Sequence, residues 1–289
     1  MTNPTSTQRM VIDFRNQTGI EQEVFPHILQ VGTGGTGTYV TQQIAQLLSL
    51  MPHVGKYILA DADVVENKNL NNQLFLPKDV GLKKADVLAR RYRSAYKLQI
   101  SSYSSEYVES VETLETLFHK EYLEGASGRF YLPILISNVD NNYSRAIFHQ
   151  FFEEHEGDLL YIDVGNEAVA IPEGNPIKET WSKEEKETYD RSGYTGQLVC
   201  GLKIGRKVIC EPIASVYPDI LEDNDEIAPS QLSCSALLAS EPQRLITNRY
   251  AAMCVGTVLN EVLLTGKLST HKMVFHALRG HMRSEGIYI

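Results

Sequence analysis

The sequence predicts an α/β fold: a doubly wound, mostly parallel sheet with a β-rich C-terminal extension. Three observations carry this. Apolar runs and amphipathic stretches alternate over residues 28–164, the order produced by strands joined through crossover helices. The first apolar run, Ile28-Leu29-Gln30-Val31, enters the glycine-rich turn Gly32-Thr33-Gly34-Gly35-Thr36-Gly37. The second, Tyr57-Ile58-Leu59-Ala60, ends in an acid, Asp61.

Residues 1–24 read as a polar arm with room for one helical turn. Residues 28–32 form the first strand. Residues 36–50 form the first helix, with Val40, Ile44, Leu47 and Leu48 on one face. Strand 56–61 comes next, then loop 62–80, rich in asparagine (Asn67, Asn69, Asn71, Asn72). Helix 81–95 turns Ala85, Leu88 and Ala89 inward and Lys83, Arg90 and Arg91 outward, and residues 97–103 alternate as a strand. A helix over 108–123 precedes a buried strand, 131–137, that enters Asn138-Val139-Asp140. Helix 142–156 and an apolar strand, 159–164, ending at Asp163 complete the alternation. Residues 171–192 are charged and carry Pro172, Gly174 and Pro176, which predicts a loop or mobile segment. Two strand-like pieces surround Gly205-Arg206 within 194–213. Residues 218–233 are acidic and irregular, with Asp219, Glu222, Asp223, Asp225 and Glu226. An apolar helix spans 241–265, and 271–289 reads as a hairpin turning near Arg279-Gly280.

Composition narrows the classes. With 289 residues, 43% of them hydrophobic, the chain can bury one large core or two small ones. It lacks the run of about 18 apolar residues that a membrane span needs, and Met1 to Arg9 carries no apolar signal region. A net charge of −9 argues against nonspecific nucleic-acid binding. The cysteines, Cys200, Cys210, Cys234 and Cys254, form no C-x-x-C pair, so neither a zinc ribbon nor a thioredoxin-type motif is expected. A cytoplasmic setting with reduced thiols is expected. The five-residue spacing of His271, His276 and His281 suits a hairpin better than a metal site.

The glycine turn has a chemical reading. Glycines let the backbone approach a phosphate, and the N-terminus of the next helix offers free N–H groups and a positive dipole end. An acid closing the second strand accepts hydrogen bonds from ribose hydroxyls. Together these make a nucleotide-binding, Rossmann-like βαβ unit.

The stretch after the acid is more specific. The loop runs Asp61-Ala62-Asp63-Val64-Val65-Glu66-Asn67-Lys68-Asn69-Leu70-Asn71-Asn72-Gln73, then Asp79-Val80-Gly81-Leu82-Lys83-Lys84-Ala85. Downstream come Val139-Asp140-Asn141-Asn142-Tyr143-Ser144-Arg145 and Ser233-Cys234-Ser235. In this order the motifs resemble the ThiF/MoeB/ubiquitin-activating-enzyme superfamily. Its members carry Asp-x-Asp-x-Val-Glu-x-Ser-Asn-Leu-Asn-Arg-Gln, Val-Gly-x-x-Lys-Ala and Asp-Asn-x-x-x-Arg. The chain looks like a compact bacterial ThiF-like protein, similar to the ThiF-family members of PRTRC systems.

The resemblance implies an adenylyltransferase that attaches AMP from ATP to a C-terminal carboxylate, releasing pyrophosphate. It implies that Gly32, Gly34, Gly35 and Gly37 cradle the phosphates and that Asp61, with Asp63, serves the ribose end. Asn69, Asn72, Gln73 and Asn141 would contact the nucleotide, Lys84 would neutralise charge at the α-phosphate, and Asp140 would hold Mg²⁺. Cys234 occupies the place where thiol-using members carry a nucleophile; the alternative is an inert buried cysteine. Cys200, Cys210 and Cys254 read as packing residues. The implied partner is a ubiquitin-like or sulfur-carrier protein with a Gly-Gly-type C-terminus. A homodimer is also implied, and no structural zinc, nucleic acid or membrane is expected. The expected division is an N-terminal arm over 1–24, a nucleotide-binding domain over 25–170, and over 171–289 a continuation bearing partner-binding elements.

One position departs from the pattern: Asn72 stands where the family has arginine and cannot make a bidentate phosphate contact. Lys68 and Lys83 are the nearby candidate cations in its place; the resemblance also implies a homodimer in which an N-terminal arginine, Arg9 or Arg15, reaches the partner's site. Two other readings stay open. A non-catalytic member would bind nucleotide or partner without turnover. An NAD-dependent oxidoreductase would account for the glycines and Asp61 but not for Asn69, Gln73, Lys84 or Asp140. Asn69 and Gln73 also suit turn capping, and Arg145 suits a tie between its helix and the Asp140 loop.

Overall fold

The structure is a computed structural model that describes residues 9–17, 19–51, 55–119, 128–172, 174–175, 177–222, 228–231 and 243–288. Five parallel strands form its centre, in the order β7-β6-β3-β4-β5: β3 Val24–Val31, β4 Lys56–Ala60, β5 Ile100–Tyr103, β6 Phe130–Ser137 and β7 Leu159–Asn166. Beyond β7 the sheet continues antiparallel through β8 Thr195–Ile204, β11 Thr270–His276 and β12 His281–Tyr288. The short strand β9 Lys207–Cys210 branches from β8. The expected α/β sheet with its β-rich extension is thus one continuous layer.

Alternation along the central strands explains the two covered faces. Ile28 on β3 and Ile134 on β6 face one core, with Ile44 and Leu48 of α1 (Gly35–Ser49), Leu88 of α2 (Lys84–Tyr96) and Val255 of the apolar C-terminal helix. Leu29 and Leu135 face the other, with Leu114 of α3 (Val111–Leu117) and Phe148, Phe151 and Phe152 of α4 (Asn142–Glu154).

Three expectations shift. The polar arm is sewn into the fold: β1 Arg9–Met10 pairs with β12, and β2 Ile12–Asp13 pairs with β10 Lys267–Leu268. The expected helical turn is there at Phe14–Asn16, and Phe14 is fully buried with its ring stacked on Phe130 at 5.9 Å. The segment expected to be loop contains α5 (Lys183–Arg191). Ser182 accepts from Glu185 N while the Glu185 carboxylate accepts from Ser182 N, a capping box legible as Ser-x-x-Glu. The acidic stretch starts with a helical turn, α7 (Asp219–Glu222), and another, α6 (Ile213–Val216), lies just before it. The apolar helix is α8 (Leu245–Asn260), extended by a π turn to Thr265. The hairpin turns at Ala277–Gly280, as the sequence predicted.

Because Phe14 anchors the arm, Phe14→Ala should cost about 3–5 kcal/mol of stability, measured by urea unfolding. A loss below about 1 kcal/mol would mean that the arm contributes little to the fold.

Candidate functional site

The carboxyl ends of β3, β4, β6 and β7 bring the sequence motifs to one edge of the sheet. Gly32 opens the turn with φ +90° and donates its N–H to Ala60 O at 2.9 Å. A Cβ on Gly32 would lie 2.8 Å from Asn138 O, and one on Gly37 would lie 2.2 Å from Gly32 O. Only glycine permits α1 to start this close to the strand end. Gln30, buried in β3, holds the turn from below: its Nε2 donates to Gly32 O and Gly37 O, each at 3.0 Å, and its Oε1 accepts from Tyr57 Oη at 2.6 Å.

Asp61 locks the turn to β4. Its Oδ2 accepts from Thr33 N and Thr33 Oγ1, both at 2.7 Å, and its Oδ1 accepts from Asp63 N at 2.9 Å. A carboxylate has about four acceptor sites, so one remains for a ligand. Burial raises the Asp61 carboxyl above its ordinary range, against the opposing pull of the Lys84 ammonium.

Lys84 begins α2 and is buried, donating to Asp63 Oδ2 at 2.7 Å. Burial alone would lower its ammonium; Asp61 and Asp63 outweigh it and hold Lys84 charged, with a smaller pull from Asp140. Burial alone would raise Asp63, but the Lys84 charge and hydrogen bond, helped by Tyr107, bring it below the usual range. Tyr107 Oη donates to Asp63 Oδ1 at 2.5 Å.

Asn69 caps its own turn, its Oδ1 accepting from Glu66 N at 2.8 Å, which leaves its amide group to donate. Asn141 caps α4 through Ser144 N at 2.8 Å. Asp140, exposed just before it, accepts no hydrogen bond among the described residues. Arg145 ties this loop down: it donates to Val139 O at 2.8 Å and pairs with the buried Asp163 at 3.2 Å, the structural role the sequence suggested.

Around the turn lie polar atoms without partners. Asn72 Oδ1, Gln73 Oε1 and both amide atoms of Asn138 are buried and unpaired among the described residues. Gln73 Nε2 lies 3.9 Å from the place of a Gly34 Cβ, and Asn138 Cβ lies 3.6 Å from that of Gly32. A second polar group stands on the β7 side. Asn166 Nδ2 donates to Thr36 Oγ1 at 3.0 Å and to Asn248 Oδ1 at 2.8 Å, and Thr36 Oγ1 donates to Asn248 Oδ1 at 3.1 Å. Gln30, Thr33, Tyr107, Asn138, Asn166 and Asn248 are site residues that sequence reasoning passed over. For Gln30 the legible signal was a polar residue inside an apolar strand.

The candidate cations for the missing arginine have these partners within the single chain. Lys68 pairs with Glu66 at 2.7 Å, and Lys83 donates to Ala62 O at 2.5 Å. Arg9 lies against Gly286 on the sheet edge. Arg15 donates to Leu264 O at 3.0 Å, beyond the far end of α8 from Asn248; at 1.5 Å per residue that is about 24 Å away. Cys200, Cys210 and Cys254 are buried packing residues, and burial pushes the Cys210 and Cys254 thiols up to about 12. Cys234 lies outside the described residues.

A sequence model of the ThiF family matches residues 5–149, half of the chain. The chain belongs to the ThiF family. Two curated relatives are named ubiquitin-like modifier-activating enzyme 5. That of Drosophila willistoni is 26% identical over 48% of this chain and 33% of its own length; that of Culex quinquefasciatus is 28% identical over 48% and 34%. The matched part of this chain thus spans about a third of those relatives. Among solved structures, E. coli MccB with ATP is similar at a TM-score of 0.52 and 16% identity, over 91% of this chain and 64% of that one. PaaA is similar at 0.50 and 18%, with the same coverage. At these identities the likeness is one of fold.

The lowered Asp63 carboxyl gives a signed pH dependence. Its ion pair stabilises the fold above the unfolded-state value of about 3.9, and that contribution is lost as pH falls through the lower native value. Asp63→Asn should therefore cost about 1–3 kcal/mol at pH 7, with the gap to wild type narrowing below about pH 4. A gap that persists unchanged at pH 3 by urea unfolding would contradict the ion-pair role.

Proposed function

We propose that this ThiF-family protein adenylates a C-terminal carboxylate, transferring AMP from ATP and releasing pyrophosphate. The observation that carries the reading is the set of buried, unpaired amide atoms on Asn72, Gln73 and Asn138 around the glycine turn, with the charged Lys84 alongside. Each unpaired buried group costs about 1–3 kcal/mol, and a polyphosphate and nucleoside would supply the missing partners.

The geometry supports a role for each residue in this reading. The turn's N–H groups and the α1 N-terminus bind phosphate oxygens. Asp61 uses its remaining acceptor site for a ribose hydroxyl. Lys84, held by Asp63, neutralises charge growing at the α-phosphate. The exposed, unpaired Asp140 is a hard oxygen ligand suited to Mg²⁺, which when bound would neutralise phosphate charge. The acceptor's carboxylate oxygen forms a bond to the α-phosphorus as the bond to pyrophosphate breaks. A carboxylate is already a nucleophile at neutral pH, so no proton moves, and positioning with electrostatics does the rest.

The relatives' printed names suggest the acceptor class. E. coli MccB has been solved with its peptide MccA, and the curated relatives activate ubiquitin-like modifiers. We therefore extend the proposal to a ubiquitin-like, sulfur-carrier or peptide acceptor, a homodimeric cytoplasmic enzyme, and onward acyl transfer to Cys234. A second reading rests on Asn72: without the motif arginine, the protein binds nucleotide and partner without turnover.

ATP–pyrophosphate exchange with Mg²⁺ and small Gly-Gly-ending proteins decides between them. The proposal expects acceptor-dependent exchange, slowed at least about tenfold by Lys84→Ala or Asp140→Ala. Cys234→Ala should keep exchange and lose a thiol-reducible acceptor adduct. ATP binding with no exchange would favour the second reading; undiminished exchange in the Lys84 and Asp140 variants would remove those residues from the site.

A further inference from the structure

We propose that Asn166 and Asn248, bridged by Thr36, form a subsite that grips the last peptide group of the acceptor chain. This rests on the adenylation reading and assigns its second substrate a place. Asn248 is fully buried on α8, yet its Nδ2 has no partner among the described residues, and neither does Asn166 Oδ1. Both amides are fixed by their other atoms: Asn166 Nδ2 donates to Asn248 Oδ1 and Thr36 Oγ1, and Thr36 Oγ1 donates to Asn248 Oδ1. One unpaired amide nitrogen, on Asn248, and one unpaired amide oxygen, on Asn166, remain on two side chains joined by a hydrogen bond. That set complements a peptide group, whose C=O accepts from Asn248 and whose N–H donates to Asn166. A phosphate does not fit it, because the Asn166 carbonyl oxygen would face an anion.

Position supports the assignment. In the order β7-β6-β3-β4, Lys84 with Asp61 and Asp63 stands beyond β4 and the glycine turn comes after β3. Asp140 lies after β6, and Asn166 closes β7. Asp61, assigned to the ribose, and Lys84 both stand on the β4 flank, which leaves the β7 flank for the acceptor chain. Asn248 Nδ2 is aimed at the first residue of α1: a Cβ on Gly35 would lie 2.3 Å from it. The same Cβ would lie 3.3 Å from Gln243 Oε1, so an entering peptide would replace the Gln243 side chain over the helix N-terminus.

The test titrates the ¹⁵N-labelled full chain, saturated with a non-hydrolysable ATP analogue, with a free hexapeptide ending in Gly-Gly. Asn166 and Asn248 side-chain amide signals are assigned from Asn166→Ala and Asn248→Ala. The proposal expects both amide pairs to shift on peptide addition. It expects each variant, assayed well below its own melting temperature, to weaken peptide binding about tenfold or more and to lose far less affinity for the analogue. Asn248→Gln, which keeps the amide, should bind peptide better than Asn248→Ala. Peptide binding with both amide pairs unmoved, or equal affinity in the alanine variants, overturns the subsite and leaves adenylation standing. No peptide binding to the analogue-loaded protein also overturns it. Failure to bind the analogue at all overturns the adenylation reading itself.

Discussion

The candidate site depends on one close approach of backbone to backbone. Gly37, in the first turn of α1, sits so near Gly32 O that a methyl group in its place would overlap that oxygen. This contact sets the helix N-terminus directly on the end of β3 and aims its free N–H groups along the sheet edge. Everything else braces it. Gln30 ties both turn carbonyls from beneath, Asp61 ties Thr33 from β4, and Asn138 O closes over Gly32 from β6. Three adjacent parallel strands therefore share one turn, and a shift in any of them moves the site.

The charges are arranged with the same economy. Lys84 is buried beside two carboxylates and remains an ammonium because they outweigh its burial. Asp63 stands between Lys84 and Tyr107 and fixes where the positive charge lies. Arg145 and Asp163 form a second buried pair that pins the loop carrying Asp140. Asn72 puts a neutral amide at the motif's arginine position. In the proposed chemistry, binding by Asn72, Gln73 and Asn138 then comes from hydrogen bonds rather than net charge, and Lys84 carries the electrostatic burden.

The parallel core was legible because each strand is a short apolar run and each helix has one apolar face. The glycine turn, Asp61, Lys84 and Asp140 were legible because their order along the chain survives as adjacency at the sheet edge. Other features were hidden for physical reasons. Strands β1 and β2 are two residues each, too short for a period, and form only because β12 and β10 offer edges. Helix α5 is polar all round and owes its start to the Ser182–Glu185 cap, which a charged segment masks. Asn166 and Asn248 lie 82 residues apart and meet only when α8 packs against α1. No spacing rule links them, and only their unpaired atoms single them out.

The central claim is that the turn and its amides form an ATP site rather than a dinucleotide site. Calorimetric titration of the wild-type chain with Mg·ATP and, separately, with NADH tests it most directly. The account predicts saturable one-to-one binding of ATP, weakened when Mg²⁺ is chelated, and no heat of binding for NADH. Saturable NADH binding with none for ATP would contradict it and return the glycine turn and Asp61 to oxidoreductase chemistry.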